Sequence, residues 1–166
     1  MAAVAALSSC GGTGSKPSLS DQSISVDSLF NVAEEHVGDT LAVRGVVRHT
    51  CKHSGRRCFV SDKDSESDNK LRIEAPEGNG FDAKLIGQQI AVRGIVRENR
   101  IPAAKVDSLL AALDVKEQSG EVEASHCESS RNNLAAMKAY MELQGRDYYS
   151  VIYVDGLEYE VVSQEK

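Results

Sequence analysis

Apolar residues recur first at helical spacing. Val26, Leu29, Phe30, Ala33 and Val37 fall on one face, with Ser25 placed to cap the start and Gly38 to end the segment, so a short amphipathic helix is predicted there. The period then switches to two. Across residues 40–51, Leu41, Val43, Gly45 and Val47 share one side of an extended chain, while Ala42, Arg44, Val46, Arg48 and Thr50 share the other. This pattern returns later: residues 37–48 closely match residues 86–97, down to the paired glycines Gly45 and Gly94. Two copies are too few for a solenoid, so the match implies equivalent strands in one sheet. Glycine in the middle of a strand weakens it unless the strand bulges or coils, and coiling at matched glycines points to a small closed barrel.

Two more strands are expected at 58–61 and 71–75, separated by the acidic loop 62–69, and a helical turn at 81–87. After the second copy the pattern is helical again. Val106, Leu109, Leu110 and Leu113 mark a helix over 103–116, and Leu134, Met137 and Met141 mark a second, with Ser125 and Glu128 as a capping box. The chain closes with apolar alternation at 148–154 and 157–162 around Asp155 and Gly156. That pattern predicts a hairpin pairing Val154 with Leu157 and Ile152 with Tyr159. A five-stranded barrel needs a closing strand after Val96; this hairpin offers material for one, and two placements stay open for it, at the barrel edge or packed elsewhere. The expected fold is therefore α+β: a small OB-like antiparallel barrel at 26–101, preceded by a tether at 1–25 and followed by a helical and hairpin extension at 102–166.

Composition narrows the function classes. The chain has 166 residues, 41% hydrophobic and 27% charged, which suits one modest core. Its formal charge of -6 disfavours nucleic acid as a partner, because phosphate backbones call for a basic face. No apolar stretch is long enough to span a bilayer. The first residues instead run through small apolar side chains into Leu7, Ser8, Ser9, Cys10 and Gly11, resembling the end of a bacterial lipoprotein signal with Cys10 as the lipidated residue. The run is short and lacks a positive start, which fits a start codon placed too late. On this reading the Ser- and Gly-rich stretch that follows is a flexible tether, and the protein sits in the bacterial cell envelope, with a cytoplasmic location as the alternative.

The spacing of Gly38, Val43, Gly45 and Val47 in the first strand, with its counterpart in the repeat, resembles the OB-fold. His49, Cys51, His53, Ser54, Gly55 and Cys58 extend the likeness to bacterial envelope OB-fold lipoproteins carrying a His-x-Cys-x-His-Ser-Gly-x-x-Cys stretch. The resemblance covers about residues 26–159 and implies the fold without an activity.

The chemistry in that stretch follows from strand phase. Continuing the inward face beyond Val47 brings in His49, Cys51 and His53, and a turn centred on Ser54 and Gly55 would set Cys51 opposite Cys58. Opposed residues are close enough to share a metal or form a disulfide. Cys127 falls in the first turn of its helix, where the dipole favours thiolate. Cys51, His53, Cys58 and Cys127 would then form a tetrahedral set suited to a transition metal such as zinc, with His49 and His126 in reserve. The alternatives are a structural Cys51–Cys58 disulfide, or a thiol–disulfide redox protein using that pair with Cys127 nearby.

A basic stripe of Arg44, Arg48, Arg93 and Arg97 spans the matched strands and offers an anion-binding or single-stranded nucleic-acid-binding surface, against the plainer reading of a solvated outer face. The common nucleotide, hydrolase and protease motifs are missing from the sequence. The function expected is non-enzymatic: an envelope lipoprotein binding a metal or other ligand, with the membrane and an envelope ligand or protein as partners.

Overall fold

The two matched segments become direct neighbours. In the computed structural model, which describes residues 18–64, 69–119 and 124–162 (side chains 124–126 excepted), β2 (Thr40–Thr50) pairs antiparallel with β5 (Gln89–Pro102). Val43 stands opposite Val92 and Gly45 opposite Ile90. β2 continues into β3 (Arg57–Ser61), and β3 pairs with β4 (Leu71–Glu74), both antiparallel. The last strand, β6 (Tyr148–Val161), pairs antiparallel with β5 and parallel with β4. The result is a five-stranded mixed barrel with flanking helices, an OB-like α+β fold. A two-residue β1 (Ile24–Ser25) lies parallel to β2 outside the closed ring.

The period-2 alternation sets what fills the barrel. Val43, Val47, Val60, Leu71, Ile73, Ile90, Val92, Val96 and Val154 point inward and are fully buried. α1 (Val26–Val32) lays its apolar stripe, Val26 and Leu29, against this core and runs on into a 3-10 turn ending before Gly38. Each such side chain contributes about 1.5–3 kcal/mol through burial. The expected cap is present: Ser25 Oγ accepts the Ser28 N–H at 3.1 Å. A second cap was not legible locally. The Asp62 carboxylate, at the end of β3, accepts the N–H groups of Val26 and Asp27, both at 2.9 Å, and places negative charge at the helix start.

The expected C-terminal hairpin is instead one continuous strand. Its whole length finds a partner in β5, from Tyr148 against Pro102 to Val161 against Ile90, so the chain never reverses. At Asp155 and Gly156 it bulges: Arg93 faces Glu158 while Gly94 faces Gly156, leaving Leu157 as the extra residue. Glycine is needed there for close approach, because a Cβ on Gly94 would lie 2.6 Å from the Asp155 carbonyl oxygen and one on Gly156 would lie 2.7 Å from that of Glu74. The closing strand of the barrel therefore comes from the part of the chain expected to be an extension.

Between β5 and β6 the chain inserts a helical hairpin, α2 (Ala103–Ser119) and α3 (Ala124–Gln144). α3 begins ahead of the expected cap, and the Ser125 side chain lies outside the described ones. Among the described side chains of the two helices, Val106, Cys127 and Met141 are buried. Arg146 clamps the returning chain to the α1 end of the barrel through a bidentate pair with Glu34, at 2.6 and 2.7 Å, and holds the Glu34 carboxyl below the usual carboxylate range. Among the described residues no helix is long and apolar enough to cross a membrane.

Candidate functional site

The Cys/His corner does not assemble as its spacing implied. β2 carries a bulge between Val47 and His49, so that Val47 faces Val60, His49 faces Phe59 and Arg48 is the extra residue. One added residue reverses the phase of a strand. After it Thr50, not His49 or Cys51, turns inward, and Thr50 stands opposite Cys58. Arg48 holds the bulge: its Nε donates to Ser61 Oγ at 2.7 Å and its terminal nitrogen to the Asp62 carbonyl at 3.0 Å.

The turn is also longer than expected. Cys51 N–H reaches the Arg57 carbonyl and Gly55 N–H reaches the Cys51 carbonyl, making a helical-type turn across residues 51–56 with Gly55 at φ +61°. His49 and His53 are exposed, Cys51 half-buried, and Cys58 fully buried in the barrel core. Cys127 is buried in the helical hairpin. Cys51, Cys58 and Cys127 are free thiols, and among the described residues no group of three or more His, Cys, Asp or Glu side chains is arranged to hold a metal. The set of Cys51, His53, Cys58 and Cys127, with His49, is not brought together. Cys10 lies outside the described residues, as does the side chain of His126.

The two nearest thiols differ in character. Burial pushes the Cys58 thiol up to about 12. The Cys51 thiol is shifted down, first by the Ser54 hydroxyl donating to its sulfur at 3.4 Å and then by the backbone N–H groups of Ser54 and His53, with Arg57 adding positive charge.

The basic stripe is occupied. The Arg44 guanidinium donates to the Ser23 carbonyl, and Arg48 is spent on the bulge. Arg93 pairs with Glu158 at 2.6 Å and Arg97 with Asp155 at 3.6 Å. β6 thus lays carboxylates beside the arginines of β5, and little uncompensated positive charge remains.

A different surface emerges from the register. His49 of β2 stands opposite Phe59 of β3, Phe59 opposite Arg72 of β4, Arg72 opposite Tyr153 of β6, and Tyr153 opposite Arg97 of β5. One row of rings and guanidinium groups therefore crosses the outside of all five barrel strands. The His49 and Phe59 rings are 6.1 Å apart, and the Arg72 guanidinium lies 4.3 Å from the centre of the Tyr153 ring. Glu74 flanks the row. It takes Arg57 at 3.0 Å in a hydrogen bond and has Arg72 Nε at 3.3 Å, an ion-pair distance without hydrogen-bond alignment, so that this buried nitrogen lacks a partner among the described residues. The alternation of Cys58, Phe59 and Val60 and of Leu71, Arg72 and Ile73 marks Phe59 and Arg72 as outward in the sequence. Tyr153 joins them only through the long-range parallel pairing of β4 with β6.

No protein-family model and no curated protein matches this chain.

Proposed function

We propose that the chain is a non-enzymatic OB-type binding module that takes an extended oligosaccharide across the row of His49, Phe59, Arg72, Tyr153 and Arg97. A lipid on Cys10 would hold it at a bacterial membrane. The observation that carries the reading is the cross-strand register, which puts these five side chains in line on the outer face of the barrel. OB-folds bind oligonucleotides and oligosaccharides on the face of their second and third strands, here β3 and β4.

Charge decides between those two polymers. A polyanion gains affinity by releasing counterions to free lysines and arginines. On this face Arg57 and Arg72 already share Glu74, and Arg97 has Asp155. A sugar chain asks for something else: flat apolar ring surface, with fixed donors and acceptors for its hydroxyls. Phe59 and Tyr153 supply the first, and the arginine–carboxylate pairs supply the second. A metal or thiol-based function finds no comparable support, since Cys58 lies in the barrel core, Cys51 and His53 on the turn after β2, and Cys127 in α3.

The test is an NMR titration of the chain from Ser18 onward with soluble hexasaccharides, beside a twelve-residue oligothymidylate. The sugars are expected to shift the amides of Phe59, Arg72 and Tyr153, and Phe59→Ala to weaken binding about tenfold, the scale of one aromatic contact. Oligothymidylate binding with a steep salt dependence would replace the sugar with a polyanion. Silence from both would remove the face as a binding site. Fatty-acid labelling of the native product, lost in Cys10→Ser, tests the anchor separately.

A further inference from the structure

The two strands that β6 lies between differ in length. Its ladder with β5 runs the full strand, but β4 covers only Tyr153–Asp155, so residues 148–152 have a strand partner on one side alone among the described residues. The described residues just ahead of β4, Asn69 and Lys70, border this place but do not pair with β6. Asn69 turns away to α1, where its amide donates to Asp27 Oδ1 at 3.0 Å.

Two adjoining clefts, of about 280 and 310 Å³, open at this place and share Phe30, Asn69, Tyr149, Ser150 and Ile152 in their walls. Successive strand side chains point to opposite faces, so consecutive residues can line one cleft only where the strand presents its edge. The hydrogen-bond parity agrees. Ala103 N–H donates to the Asp147 carbonyl at 2.8 Å, which fixes the odd-numbered residues of β6 as the ones facing β5. Ser150 accordingly presents its N–H and C=O to the open side. The Ser150 hydroxyl is buried there without a partner among the described residues.

We propose that this edge accepts an extended peptide from a partner protein, which continues the line of β4 and pairs with β6 at Ser150. Backbone chemistry identifies the occupant: alternating N–H and C=O groups at strand spacing are what a polypeptide strand provides. Apolar side chains of the peptide fit on either side of the edge, against Phe30 and Ile152 on one face and against Tyr149 on the other. The site is separate from the row of rings and does not depend on its ligand.

The test uses the 15N-labelled chain and an acetylated, amidated pentapeptide alternating Thr and Val. A second copy of the peptide, N-methylated at its central residues, cannot donate from its backbone. The unmodified peptide at millimolar concentration is expected to shift the amides of Ser150 and Ile152 and to slow their exchange at least tenfold, and the N-methylated peptide to bind at least tenfold more weakly. Ser150→Pro removes the outward N–H together with the hydroxyl, at a position where proline is tolerated at a sheet edge; it is expected to keep the fold and lose the peptide. Equal binding of both peptides, no effect of either, or full binding by a folded Ser150→Pro variant each overturns the proposal. If Ser150→Pro fails to fold, the comparison of the two peptides on the unaltered chain still decides.

Discussion

Cys51 and Cys58 show how much a single side chain's surroundings decide. The Cys58 sulfur sits among core hydrophobes, where its thiolate is strongly disfavoured, whereas the Cys51 sulfur accepts the Ser54 hydroxyl on an open turn. Since the thiolate is the nucleophile, iodoacetamide at about pH 8 should label Cys51 rapidly in the native chain. Cys58 and Cys127 should react only after unfolding. Mass spectrometry of the labelled protein with and without denaturant checks this; native labelling of Cys58 at a rate matching Cys51 would contradict the buried placement. Sequence marked these cysteines as the chemistry-bearing groups but misjudged their directions, because the bulge at Arg48 is held by Ser61 and Asp62 from the neighbouring strand. Nothing local to residues 47–51 announces it.

At the scale of elements, strand phase and helix spacing were legible wherever the structure is locally determined. Ser25 caps α1, Gly38 follows it with φ +98°, and the repeat becomes the β2–β5 pair. The Asp155 and Gly156 pair misled because the same residues serve a turn or a bulge, and only the length of β5 decides between them. The choice has a measurable consequence. In a turn, Gly156 would matter for its backbone freedom, whereas in the bulge it matters for space: an added Cβ would meet Glu74 O at 2.7 Å and Pro76 Cδ at 3.4 Å. Gly156→Ala should therefore cost about 1–3 kcal/mol, as overpacking does, and lower the thermal midpoint by roughly 3–10 °C. Calorimetry gives the answer, and an unchanged midpoint would show that β4 and β6 are not in close parallel contact.

For the whole molecule, the question is which parts of the chain make the barrel. Reading along the sequence separated a barrel at 26–101 from everything after it: the alternation at 148–162 marked strand, but local pattern carries no sign of which strands it pairs with beyond two helices. Spatially the helical hairpin is an insertion whose ends meet, because Ala103 N–H and the Asp147 carbonyl are hydrogen-bonded at 2.8 Å. They form a bonded antiparallel pair, the position that a two-residue type I′ loop closes. Replacing residues 104–146 with Asn-Gly should turn β5 and β6 into one continuous hairpin and leave the barrel core of Val92, Val96 and Val154 untouched. The excised chain is expected to lose its helical circular dichroism, give up the Arg146–Glu34 clamp, and still melt cooperatively within roughly 10 °C of the parent. A fragment ending at Pro102 lacks β6, exposes Ile73 and Val96 along two open edges, and is expected to show no cooperative transition. The opposite result, a folded fragment and an unfolded excision, would mean that the helices rather than the last strand complete the core.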